Sequence, residues 1–139
     1  MPLPFDVDAV VRTVRARVAD VVAIYLFGSL ARGDDHAGSD VDLAILPRRP
    51  LAALARFDLQ EELARQLGRD VDLIDLRSAP AVLRAQVFTN DVLLYCGDRF
   101  TRQLFEATAL SDYARLNEER RGILDDIARR GSVYGGSGG

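Results

Sequence analysis

The chain has 139 residues, 48% hydrophobic and 28% charged, with a formal net charge of −3, which suits one domain with its own core and argues against direct nucleic-acid binding by the surface as a whole. Its 18 basic residues are all arginine, and it has one cysteine and one histidine, which excludes a Schiff-base or Walker-loop lysine, an internal disulfide and a Cys/His zinc site. No apolar run approaches the ~20 residues of a membrane span and no charged-then-apolar leader opens the chain, so no membrane partner is expected and the cytoplasm is the expected location.

Pro4 to Asp20 reads as a helix with Asp6 as N-cap, because Val7, Val10, Val11, Val14 and Val18 recur at helical spacing. Val21 to Phe27 is apolar throughout and β-branched at its start, the pattern of a strand buried on both faces. Gly28-Ser29 breaks it, one helical turn fits Ser29 to Arg32, and a polar loop leads to a second strand, Val41 to Leu46. Pro50 to Leu67 is amphipathic, with Leu51, Ala55, Leu59, Leu63 and Leu67 on one face, proline in its first turn and Gly68 at its end. Asp70 to Leu76 forms a third strand, a helix follows from Pro80 to Phe88, and Val92 to Cys96 makes a fourth strand in which Cys96 is a buried thiol. From Asp98 to about Arg130 the pattern is helical, in one helix or two, with Gly122 as a candidate bend. The apolar face there is Phe100, Leu104, Ala107, Tyr113, Leu116, Ile123, Leu124 and Ile127. Residues 131–139 have the composition of a flexible Gly/Ser-rich tail, so the folded domain is expected to span 1–130. Strands alternating with helices predict an α/β domain around one central sheet.

The chemistry concentrates between Tyr25 and Ile45. Gly28-Ser29, at the end of a strand and the start of a helical turn, offers backbone N–H groups, close approach and a hydroxyl to a phosphate. Asp40 and Asp42 flank a valine, and acids two apart on a strand project to one face. Such a pair calls for a cation, and Mg²⁺ is held by one or two carboxylates together with substrate phosphates. Asp72 sits in an otherwise apolar strand, where it either lies on an edge or faces the same charged site as a third acid that takes a proton. Asp75 competes for that role from the opposite face. Arg32 either braces the loop or reaches a phosphate. His36 reads as a solvated loop histidine, and Tyr134 in the tail as an unused tyrosine.

Gly28-Ser29, ten intervening residues, Asp40-Val41-Asp42 and a strand-borne Asp72 together resemble the nucleotidyltransferase superfamily that includes DNA polymerase β. The run Gly-Ser-Leu-Ala-Arg-Gly-Asp and the compact length are similar to the minimal nucleotidyltransferases, and within them to the MntA-type antitoxins paired with HEPN-domain ribonuclease toxins. The resemblance implies an α/β (α+β) fold with a mixed sheet flanked by helices. It implies two Mg²⁺ ions on Asp40, Asp42 and Asp72, with ATP held at Gly28, Ser29 and Arg32. It further implies transfer of AMP to a tyrosine of a HEPN toxin partner, which that modification silences. Two other readings stay open: an antitoxin that binds and occludes its toxin through the C-terminal helices, and nucleotidyl transfer to a small molecule.

Overall fold

The computed structural model describes residues 3–33 and 40–138, with side chains as far as residue 130. Its elements run α1 (Val7–Arg17), β1 (Ala23–Phe27), α2 (Gly28–Arg32), β2 (Val41–Leu46), α3 (Ala53–Leu67), β3 (Val71–Asp75), α4 (Ala81–Thr89), β4 (Val92–Cys96) and α5 (Arg99–Gly138). The four strands form one mixed sheet in the order β3-β2-β1-β4. β1 is antiparallel to both β2 and β4, whereas β2 and β3 run parallel, joined by α3. The mixed sheet flanked by helices is the architecture expected, and β1 and β2 are the two inner strands.

Both faces of those strands are covered. On one, Ile24, Leu26, Leu43, Ile45 and Leu73 pack with Val10 and Val14 of α1 and Leu59 and Leu63 of α3. On the other, Tyr25, Ala44 and Leu46 pack with Leu76 and Val87, flanked by Phe88 and Phe105. This two-sided burial is why Val21 to Phe27 carries no polar alternation. The paired strand starts at Ala23, and Val22 joins the ladder by donating its N–H to the Leu46 carbonyl at 2.8 Å. Asp6 caps α1 by accepting from the Ala9 N–H at 3.2 Å, and Gly68 ends α3 in the left-handed region at φ 64°.

Three local expectations change. α3 begins at Ala53 and not at Pro50, because the Leu51 N–H is drawn 2.8 Å from the Asp75 carboxylate and the lead-in stays extended; Ala55 is exposed. Cys96 is half-buried, with the Arg102 Nε donating to its Sγ at 3.3 Å. α5 is a single helix that passes Gly122 without a break, and it faces the domain with Phe105 and Ala109, leaving Phe100 76% exposed and Leu104 outward. Tyr25 sets that rotation. Its buried hydroxyl needs a partner and donates to Glu106 at 2.9 Å, with Arg102 bracing the same carboxylate at 3.1 Å. Burial, with Glu106 beside it, pushes the Tyr25 hydroxyl far above its ordinary pKa, so it stays a donor. Further along α5, Ile123, Leu124 and Ile127 are also exposed.

α5 is anchored at its start by Asp98, which accepts from the Thr101 N–H at 3.0 Å and from the Thr101 hydroxyl and the Arg48 guanidinium at 2.8 Å each. These bonds, that of the Thr101 N–H foremost, hold the Asp98 carboxyl down at about 2. A depressed carboxyl contributes stability above its unfolded pKa and loses it as pH falls through the folded value. Asp98→Ala is therefore expected to lower Tm at neutral pH, with the gap to wild type closing between about pH 4 and pH 2 in melts followed by circular dichroism. α5 is helical to Gly138, through the stretch whose glycines each disfavour a helix by about 1 kcal/mol relative to alanine. We propose the folded domain as 1–130: a chain ending at Arg130 is expected to melt at the temperature of the full chain.

Candidate active site

The site is built where β1 ends. Phe27 is extended, and Gly28 turns the chain straight into α2 with φ 74°, a value that side chains rarely adopt. α2 is held by Leu30, which is 5% exposed, and stops at Gly33, φ 78°. Because Phe27 and Asp42 are register partners, the Gly28 backbone lies against the Asp42 side chain. A Cβ on Gly28 would overlap that carboxylate, with the Asp42 Cγ only 2.9 Å away. Glycine is required here twice, for its dihedral and for its missing side chain.

Asp42 has a second neighbour across the parallel pair: its register partner in β3 is Asp72. Both point away from the α1/α3 face, since Val41, Leu43, Val71 and Leu73 fill that core. Asp40 lies one residue before β2 and is exposed. Asp42 is half-buried, and its carboxyl is raised above the ordinary value by that burial first, then by Asp72 and Asp40, with Arg32 opposing them. Arg32 thus acts on Asp42 from the exposed end of α2. Ser29 is half-buried at the second position of α2. The structure thus gathers Gly28, Ser29, Arg32, Asp40, Asp42 and Asp72 at one end of β1, β2 and β3. His36 lies outside the described residues.

Asp75 is on the opposite side of β3 and is 4% exposed. Its carboxylate accepts from the N–H groups of Leu51 and Arg77, at 2.8 and 2.9 Å, and from the Ser78 hydroxyl at 3.3 Å. It is a brace for the turns before α3 and α4, whereas Asp72 is exposed at the acid cluster. Sequence reasoning missed this brace. An acid at an even step from Val71 and Leu73 on a buried face was its one visible signal.

The donor set suits a hard cation: carboxylate oxygens on adjacent strands, one of them carrying repulsion that a positive charge would relieve. Among the described residues no three such side chains already stand as a metal cluster. Asp42 and Asp72 are neighbours across the β2–β3 pair, and Asp40, one residue before β2, acts on the Asp42 carboxyl as well.

Residues 11–100 match the family model described as Polymerase beta, Nucleotidyltransferase. The chain is 40% identical over 120 residues to the protein adenylyltransferase MntA of Shewanella oneidensis, covering 86% of each. It is 37% identical over 68 residues to a protein of Haemophilus influenzae described as a probable protein adenylyltransferase MntA, covering 60% of that protein. It superposes on a chain of a toxin–antitoxin crystal structure with AMP-PNP at a TM-score of 0.81 and 38% identity, covering 89% of this chain and 99% of that one. It is also similar to a chain in the structure of tri-AMPylated Shewanella oneidensis HEPN toxin with MNT antitoxin (TM-score 0.74, 36% identity, 88% and 95% covered).

Asp42→Asn tests the electrostatics. A carboxyl raised in the folded state costs stability once ionised, and the cost appears as pH rises through the raised value. In metal-free buffer the variant is expected to melt above wild type at pH 7, the difference vanishing in acid. Gly28→Ala is expected to cost about 1–3 kcal/mol in denaturant melts, because strain at positive φ adds to the overlap with Asp42.

Proposed function

The chain belongs to the Polymerase beta nucleotidyltransferase family, and on that premise we propose that it is a protein adenylyltransferase antitoxin, transferring AMP from ATP to a tyrosine hydroxyl of a partner HEPN ribonuclease toxin. The observation that carries the reading is the register pairing of Asp42 with Asp72 beside the Gly28 turn. It sets two carboxylates together at the turn that opens α2.

Asp40, Asp42 and Asp72 would hold Mg²⁺, two ions in the full site. The metal supplies positive charge that offsets the phosphates and the developing charge on the leaving group. Gly28 and Ser29 receive the triphosphate through N–H groups at the head of α2 and the serine hydroxyl. Arg32, which already acts electrostatically on Asp42, reaches the phosphates with its fork of donors. Asp72 orients the incoming tyrosine hydroxyl and accepts its proton. The tyrosine oxygen forms a bond to the α-phosphorus, the bond from that phosphorus to the bridging oxygen breaks, and diphosphate leaves. AMP on the toxin adds negative charge and bulk at its RNA-cleaving site and so silences it.

ATP is the proposed nucleotide and the cytoplasm the proposed location; among the described residues no helix is long and apolar enough to cross a membrane. Neutralisation by occlusion is the second reading, favoured by the exposed Ile123, Leu124 and Ile127 of α5.

Incubating the protein with toxin, ATP and Mg²⁺ is expected to raise the toxin's intact mass by whole AMP units, a gain abolished by chelator. Asp40→Asn/Asp42→Asn is expected to slow transfer at least ~100-fold. If that double variant neutralises the toxin as fully as wild type without modifying it, occlusion replaces transfer as the mechanism.

A further inference from the structure

A cleft of about 370 Å³ opens between the last turns of α1 and the outer strand β4, lined by Arg12, Arg15, Val18, Asp20, Val21 and Tyr95 among others. Val21 precedes β1 and Gly28 follows it, so the length of β1, roughly 15 Å, separates this cleft from the acids. Its volume falls within the roughly 300–1,000 Å³ of small-ligand sites.

Arg12 and Arg15 stand one turn apart on the same side of α1. The Arg15 guanidinium lies over the Tyr95 ring, 4.8 Å from its centroid, and that stack holds the planar fork in place. Among the described residues neither arginine has a carboxylate partner, whereas Arg17 is engaged by Glu62 and Arg48 by Asp20 and Asp98. Asp20 is the acid in the lining, and Arg48 already occupies its carboxylate at 3.1 Å. The dipole of α1 accounts for basic residues in its last turn, Arg15 and Arg17. It does not account for Arg12, a turn earlier, or for the ring beneath Arg15.

Two guanidinium forks offer more donors than the two oxygens of one carboxylate can take up. A phosphate monoester presents three terminal oxygens and close to two negative charges, enough to engage both forks. Arg15 is exposed, so the face turned away from Tyr95 is open to a planar ring, as guanidinium planes stack on bases.

We propose that this cleft is an anion site for a phosphate monoester, held by Arg12 and Arg15, with Tyr95 as the residue that positions Arg15. The chemistry fits the 5′-phosphate of a nucleotide, either free or at the end of a nucleic-acid strand. The site is separate from the nucleotidyl-transfer centre, does not rest on the adenylyl-transfer reading, and makes or breaks no bond.

The test is AMP titrated into the protein in metal-free buffer, followed by amide chemical shifts. Saturable perturbation is expected from Arg12 to Val21 and at Tyr95, with Gly28 to Arg32 and Asp72 unmoved, and acetate at equal concentration is expected to give none. Arg12→Lys/Arg15→Lys keeps the charge but loses the forks and the stack, so it is expected to bind AMP about tenfold or more weakly at an unchanged Tm. Tyr95→Phe keeps the ring and is expected to bind as wild type, while Tyr95→Leu binds at least about threefold more weakly. A 5′-phosphorylated trinucleotide that binds more tightly than AMP assigns the site to strand ends, and one that binds more weakly assigns it to free nucleotides; both support it. The site is overturned if the shifts fall elsewhere, if acetate or a 5′-hydroxyl trinucleotide matches the phosphorylated ligand, or if the double lysine variant binds AMP as wild type does. Equal binding by Tyr95→Leu and wild type overturns the positioning role.

Discussion

The close approach of the Gly28 backbone to the Asp42 carboxylate constrains everything around it. An acid can sit against the main chain only if that main chain carries no Cβ and turns sharply there, and both conditions are met by one residue at φ 74°. The contact then requires Phe27 and Asp42 to be register partners, which the antiparallel β1–β2 pair supplies, and requires α2 to stay put, which buried Leu30 ensures. A slip of one residue between β1 and β2 would turn every core side chain outward and would also separate the acid from the turn. Site geometry and core packing are thus specified by the same ladder.

The acids tolerate their crowding because the rest of the domain is stable around them. The raised Asp42 carboxyl means that burial and the neighbouring Asp72 and Asp40 work against its charge in the metal-free protein. Two apolar layers, one on each face of β1 and β2, offset that cost. The repulsion also defines what the site binds: anything that relieves it must be positive, and must arrive on the open side between α2 and the end of β3.

Much of this was legible in the sequence. β2 and β4 occupy the residues that their apolar runs indicate, and Asp6, Gly33 and Gly68 end helices for local reasons that a sequence displays. The family motif located the acids because its spacing is a property of contiguous chain. The rotation of α5 was hidden, since it depends on a hydroxyl at Tyr25 finding Glu106, 81 positions away. The late start of α3 was hidden for a similar reason, a backbone N–H at Leu51 captured by Asp75. The cleft beside Arg15 is assembled from α1, the turn after it and β4, and no pattern within any of them announces a cavity.

In β3 the Leu73 N–H donates to Gln60 at 2.9 Å, and the Leu73 carbonyl accepts from Arg56 at 3.0 Å. β3 is an outer strand of the sheet, five residues long, and two helix side chains occupy the backbone groups at its centre. Sheet growth by copies of the chain, the usual hazard of an exposed edge, is thereby blocked on the side where the acids lie. The two margins of the sheet are consequently unequal. At the β3 margin the central backbone groups are already taken by helix side chains, and the other margin of the sheet is β4, far from Asp72.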